Sequence, residues 1–100
     1  MEKSCVKFYS LHAKQENNNY KFSYSVKEHT DAKKSNNVWV ASVGVYGVRI
    51  YPNEITIYKI GVNFIVLYAV QNPNLPDEIV MNRMRDTLCN RENITNYSES

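Results

Sequence analysis

The sequence predicts an α+β fold: an antiparallel sheet of five or six strands with one C-terminal helix packed on it. Three observations carry that reading. Residues 20–27 alternate strictly, with Tyr20, Phe22, Tyr24 and Val26 set against Lys21, Ser23, Ser25 and Lys27; this is the period-two signature of an antiparallel strand with one wet face. The stretch from Val38 to Val70 holds the densest β-branched and aromatic material in the chain, the composition that a pleated, buried surface favours. Beyond it, Val80, Met81, Met84 and Leu88 recur at helical spacing behind the sheet-breaking run Gln71-Asn72-Pro73-Asn74.

Taken in order, residues 5–14 form a first strand, with Val6, Phe8 and Ser10 on one face and Cys5, Tyr9 and Leu11 on the other. Glu16-Asn17-Asn18-Asn19 supplies a hairpin loop, and residues 20–27 return as the second strand with their aromatic face turned to the core. Glu28 to Asn37 is polar throughout and reads as an exposed loop, with Lys33 and Lys34 near its end. A third strand runs from Val38 to Val45, with Gly44 as a bulge. Tyr46-Gly47 forms a turn into a short strand from Val48 to Tyr51. Pro52-Asn53 suits the centre of a tight turn, because Pro fixes φ and Asn tolerates positive φ. Glu54 to Val70 is one long strand or two divided at Gly61. From Phe64 to Val70 both faces are apolar, so this segment belongs inside the sheet or beneath the helix. The helix spans about Leu75 to Asn90, with Asn74 as N-cap, Pro76 in the first turn, and Asp77 and Glu78 complementing its positive end. Residues 1–90 thus make one domain, and the polar residues 91–100 are expected to fray.

One hundred residues can bury roughly 65% of the surface of the unfolded chain, enough for one core without a metal or disulfide. A net charge of +2 is too small to point to nucleic acid or an acidic membrane as the partner. The charge is uneven: residues 1–37 hold seven Lys against four acids, and residues 71–100 hold three Arg against five acids. The first residues contain no leader-like apolar block. The longest apolar run, around Ile65 to Val70, is far shorter than the roughly 20 residues of a spanning helix. No membrane span and a cytoplasmic setting are therefore expected. The alternative is a small secreted, host-directed protein, if a leader precedes these residues. Cys5 and Cys89 would then be able to bridge, and the sequons at Asn93 and Asn96 would become glycosylation sites.

Little here reads as catalysis, and no cofactor or metal is expected. Gly44 and Gly47 lack the spacing of a phosphate loop and the helix that should follow it. Cys5, His12, His29 and Cys89 are too scattered for a zinc site, and the pair His29 and Asp31 has no nucleophile nearby in sequence. A Cys89 nucleophile with a distant histidine survives only as a default, so a non-enzyme is expected. Aromatics interleaved with lysine at Tyr20, Phe22 and Tyr24 suggest a single-stranded nucleic-acid binder. The lysines point away from those rings, which makes nucleic acid the weaker expectation.

The run Val38-Trp-Val-Ala-Ser-Val-Gly-Val-Tyr-Gly-Val-Arg-Ile-Tyr resembles the second and third strands of phosphotyrosine-binding and FERM third-lobe domains, members of the pleckstrin-homology superfold. The segments Ile-Thr-Ile-Tyr-Lys-Ile and Phe-Ile-Val-Leu-Tyr-Ala-Val resemble the next long strand of those domains. The resemblance covers roughly residues 38–70 and implies a peptide-binding scaffold. The chain departs from the family by passing almost directly into its helix, where the family has further strands, one of which pairs with the ligand. It also has no counterpart of the basic phosphotyrosine pocket.

The function expected is that of a non-enzymatic, adaptor-like protein-interaction domain. Another protein or peptide would bind at a sheet edge or in the groove between strand and helix, with Ile65, Leu67, Met81 and Met84 as contacts. A homodimer through an edge strand is the variant of the same idea.

Overall fold

The computed structural model describes residues 6–29, 38–43 and 45–99, with the side chains of residues 29, 41 and 43 left aside. Cys5, Asp31, most of the expected 28–37 loop and Gly44 lie outside the described residues. The fold is α+β. Among the described residues, strands β1 (Val6–Glu16), β2 (Asn19–His29), β5 (Thr56–Ile60), β6 (Asn63–Gln71) and β7 (Tyr97–Glu99) form a sheet of order β5-β6-β1-β2-β7, β3 (Trp39–Val43) and β4 (Tyr46–Ile50) pair as a separate hairpin, and helix α1 (Asp77–Glu92) packs on the large sheet.

Strands β1 (Val6–Glu16) and β2 (Asn19–His29) are long antiparallel partners. Their loop sits at Asn17, which takes φ 57, a left-handed conformation that Asn tolerates better than most residues. The hairpin β3 (Trp39–Val43) and β4 (Tyr46–Ile50) pairs Val43 with Tyr46. That register corrects the expected turn at Tyr46-Gly47: both residues lie inside β4, and the reversal falls just before them. Pro52-Asn53 does turn, with Asn53 at φ 58. Strands β5 (Thr56–Ile60) and β6 (Asn63–Gln71) are divided at Gly61, whose φ of 64 gives the positive first position of a two-residue hairpin turn.

Helix α1 covers Asp77–Glu92, two residues later at each end than the spacing predicts. Asn74 is not its cap. Leu75 precedes a proline, which disfavours the helical region for Leu75, so the helix cannot begin there. Pro76, extended at φ −58 and ψ 145, takes the cap position without a side-chain cap bond. Its carbonyl accepts from the amides of Ile79 and Val80. The helix stops at Asn93, left-handed at φ 54, where the Ile94 amide turns back to the Cys89 carbonyl at 3.0 Å. Ile94 buries its side chain against the core, the apolar contact that accompanies this type of stop.

The expectation that residues 91–100 would fray missed β7 (Tyr97–Glu99), a short strand lying parallel to β2 with Tyr20 opposite Tyr97 and Phe22 opposite Glu99. It brings the large sheet to the expected five strands and makes that sheet mixed, since this one pairing is parallel.

Strand parity divides the core in two. Tyr9, Leu11, Ala13, Phe22, Phe64 and Val66 face the helix and meet Val80, Met84 and Leu88. Val6, Ile65, Leu67 and Ala69 face the other way and are covered by Trp39, Val48 and Ile50 of the hairpin. Strand β6 is therefore apolar on both faces because each face has a cover, as the sequence predicts. Burying a side chain the size of Leu88 or Met84 contributes about 2–3 kcal/mol. The hairpin does not cover β2, whose exposed Lys21, Ser23, Ser25 and Lys27 lie on the hairpin side of the sheet, beside exposed His12 and Lys14 of β1.

Candidate functional site

The placement of α1 over the sheet begins at its first residue. Asp77 Oδ1 accepts from the Tyr9 hydroxyl at 2.8 Å and pairs with Lys7 Nζ at 3.1 Å. These two contacts, Tyr9 foremost, hold the Asp77 carboxyl below the usual carboxylate range. From there, Val80, Met84 and Leu88 descend into the core at four-residue spacing. Helical geometry then puts Arg83, Thr87 and Arg91 on one flank, again four residues apart. That flank faces the segment that leads into β5 and the C-terminal part of β6.

Between them lies a cleft of about 370 Å3. Ile55, Tyr68, Val70 and Val80 give it apolar walls, Pro73, Asn74 and Leu75 lie at it, and Arg83, Thr87 and Arg91 line the helix side. Glu54 and Asn53, carried by the Pro52-Asn53 turn, complete the lining. A second hollow of about 350 Å3 shares Glu54, Ile55 and Arg91 and continues past Ile57, Lys59 and Phe64. A third of about 320 Å3 shares Lys59, Phe64 and Glu92 and reaches Tyr20 and Asn96. Together they make a groove that follows β5 along the side of the helix. Strand β5 is an edge: its ladder partner among the described residues is β6. In an antiparallel hairpin closed by Ile60 and Asn63, alternation directs the backbone groups of Ile57 and Lys59 outward, away from β6.

One contact ties this edge to the hairpin. The Tyr58 hydroxyl donates to the Arg49 carbonyl at 2.7 Å and accepts from the Arg49 amide at 3.0 Å. A side chain of β5 thus satisfies both outward backbone groups of one β4 residue and fixes the spacing of hairpin and sheet.

The four expected contact residues do not form one surface. Met84 is fully buried in the helix-side core, and Met81 is half-buried against that core. Ile65 and Leu67, expected where the strand borders the helix, lie beneath Trp39 and the hairpin instead. The reason is parity: on β6 the even residues Phe64 and Val66 take the helix side, which turns the odd residues to the opposite face. The residues that do line the groove, Arg83, Thr87 and Arg91, form a polar stripe at four-residue spacing beside the apolar one. Solvation alone accounts for such a stripe, so the spacing did not single it out.

The other candidates are placed as follows. Phe22 is fully buried and stacks on Tyr97 with ring centroids 4.9 Å apart, and Tyr20 and Tyr24 are half-buried on the same side. The neighbouring lysines occupy the reverse face, so these rings and lysines do not share a platform. Cys89 is a free, half-buried thiol whose pKa is pushed up, chiefly by burial, which works against thiolate chemistry. It packs on the helix side, while His12 is exposed on the hairpin side. Asn93 and Asn96 are exposed. Among the described residues, no group of three or more His, Cys, Asp or Glu is placed to hold a metal ion, and no helix is long and apolar enough to cross a membrane.

The chain matches no family model, no curated protein and no solved structure.

Proposed function

We propose that this chain is a non-enzymatic protein-interaction module, working in a cytoplasmic setting, that takes an extended peptide along the outer edge of β5. The single observation that carries the reading is the coincidence of an edge strand with a groove running beside it. Backbone groups of Ile57 and Lys59 offer a ladder. A strand added there would present alternate side chains toward the helix, where Ile55, Tyr68 and Val70 supply apolar contact and Arg83 and Arg91 supply donors. The two arginines stand about 12 Å apart along the helix axis, a span of about four extended residues. The proposal rests on this edge and groove and not on the pleckstrin-homology resemblance.

The test begins with a peptide selected from a random library by the unmodified protein. Thr87→Trp places a large ring in the groove at a half-exposed position. It is expected to weaken that peptide about tenfold or more, equivalent to about 1.4 kcal/mol, while the denaturation midpoint stays where it was. Undiminished affinity in the folded variant contradicts the proposal.

A further inference from the structure

The β5 groove widens where its ladder stops. Thr56 opposite Leu67 is the outermost β5–β6 pair, so Tyr68 and Val70 lie beyond it. Their side chains are on the helix side, by the same parity that sends Phe64 and Val66 there. Both are half-buried, as is Ile55, and with Val80 they give the cleft an apolar floor. A large apolar side chain laid on that floor would remove its remaining surface from water.

Arg83, Thr87 and Arg91 form the wall above this floor. Both arginines are exposed, and among the described residues neither side chain has a hydrogen bond or ion pair. Their neighbours on the helix are engaged elsewhere: Arg85 takes Asp86 and Glu99, and Asp77 takes Lys7 and Tyr9. Glu54 is the one carboxylate that lines the cleft among the described residues, against two guanidinium groups. In the hollows beyond, Glu92 and Lys59 occur together and offset each other. The cleft therefore carries an excess of positive charge that carboxylates on a partner would balance.

Spacing sets the order of groups on that partner. The eight helical residues from Arg83 to Arg91 rise about 12 Å, and four extended residues span about 13 Å. Strand residues four apart share a face, and so does the residue midway between them. A strand whose first carboxylate meets Arg83 brings its second to Arg91, while the midway side chain falls at Thr87, over the floor. This order reads the same in both directions, so it holds for either sense of the added strand.

We infer that the groove selects peptides of the pattern acidic–any–large apolar–any–acidic. The inference rests on the reading of the β5 groove as a peptide site, and it names the peptide.

The probe is a labelled ten-residue peptide of alternating Thr and Val, with Glu at its fourth and eighth residues and Phe at its sixth, all on one face. Two companions are compared with it on the full chain. One carries Gln in place of both Glu; the other keeps its charge but has the second Glu at the seventh residue, on the opposite face. The Gln probe is expected to bind about tenfold more weakly, the order that two exposed charged contacts supply, and the displaced-Glu probe severalfold more weakly. On the chain carrying Arg83→Gln and Arg91→Gln, the Glu and Gln probes should bind alike. Should that variant lose its fold, Arg91→Gln alone is expected to narrow the difference between the two probes by a smaller factor. A displaced-Glu probe that binds as tightly as the first assigns the effect to net charge and overturns the inference. A library-selected peptide that Thr87→Trp weakens and the arginine variant does not also overturns it, while leaving the groove as a peptide site. If no peptide, selected or designed, binds the folded chain, the inference and the reading beneath it both fall.

Discussion

The two edges of the sheet solve the problem of exposed backbone in opposite ways. At β2 the chain lays its own short strand against the edge and pins it with a ring stack and a charged hydrogen-bond pair. At β5 the outer side of the ladder is open among the described residues and lies beside a groove, with Tyr58 turned inward to bind β4 rather than to guard the edge. Unprotected edges invite pairing with other chains, and proteins ordinarily blunt them. A chain that covers one edge and borders the other with apolar walls and two arginines distinguishes between them. That difference is the main reason for proposing β5 as the partner-binding edge.

The largest expected effect removes both edges together. Met84 lies fully buried on the inner face of α1, the helix that flanks each of them. Met84→Asp leaves a cavity and an unpaired carboxylate in the core, and is expected to cost more than about 4 kcal/mol. That is most of the stability of an ordinary small domain. Chemical denaturation followed by circular dichroism should show an unfolded or barely folded chain. A stable fold that has merely lost peptide binding would mean Met84 acts at the surface, contrary to its burial.

A smaller change should separate the edges. Arg85 contacts Glu99 and Tyr97 and lines no part of the β5 groove. Arg85→Ala is expected to cost about 1 kcal/mol, a figure kept low by the exposure of Glu99. Hydrogen exchange at the Tyr20 amide, which bonds Asn96, should accelerate, while amides of the β5–β6 pair keep their protection. Equal acceleration on both sides would deny that the edges are independent.

Acid offers the mildest probe. The folded Glu99 carboxyl titrates below its unfolded value, so the hold on β7 is complete above the ordinary carboxylate range near pH 4.3 and is lost as pH falls through the folded value. Arg85 stays charged throughout, its pKa raised chiefly by Glu99, and Tyr24 stays neutral, its pKa raised chiefly by burial. Asp77 is also lowered and weakens the helix start over the same direction of pH. Glu99→Gln should therefore abolish the acid response of the Tyr20 amide and leave that of the Lys7–Asp77–Tyr9 contact. An unchanged acid response at Tyr20 would assign it to another group.

Much of the scaffold is legible in the residues. The alternation of Tyr20 to Lys27, the two-faced apolarity of Phe64 to Val70, and the Pro52-Asn53 and Gly61 turns all mark elements that form. Each is a local pattern with a local cause. The strand at Tyr97–Glu99 carried no such pattern, because three exposed residues cannot display a period. It exists through contacts with Phe22, Tyr24 and Arg85, far away in sequence. The groove was hidden for a related reason. Arg83, Thr87 and Arg91 mean something only once β5 is known to lie beside them. Ile65 and Leu67 show the converse error: apolarity marked them as important, but the face they occupy depended on a register that composition does not specify.

The most direct test of the central claim maps amide chemical shifts while a library-selected peptide is titrated into the unmodified chain. The account predicts the largest changes at Ile57 to Ile60 and along Arg83 to Arg91, with the β3–β4 hairpin nearly unmoved. Changes confined to the hairpin, to the Lys21–Lys27 face or to the β2 edge would contradict it.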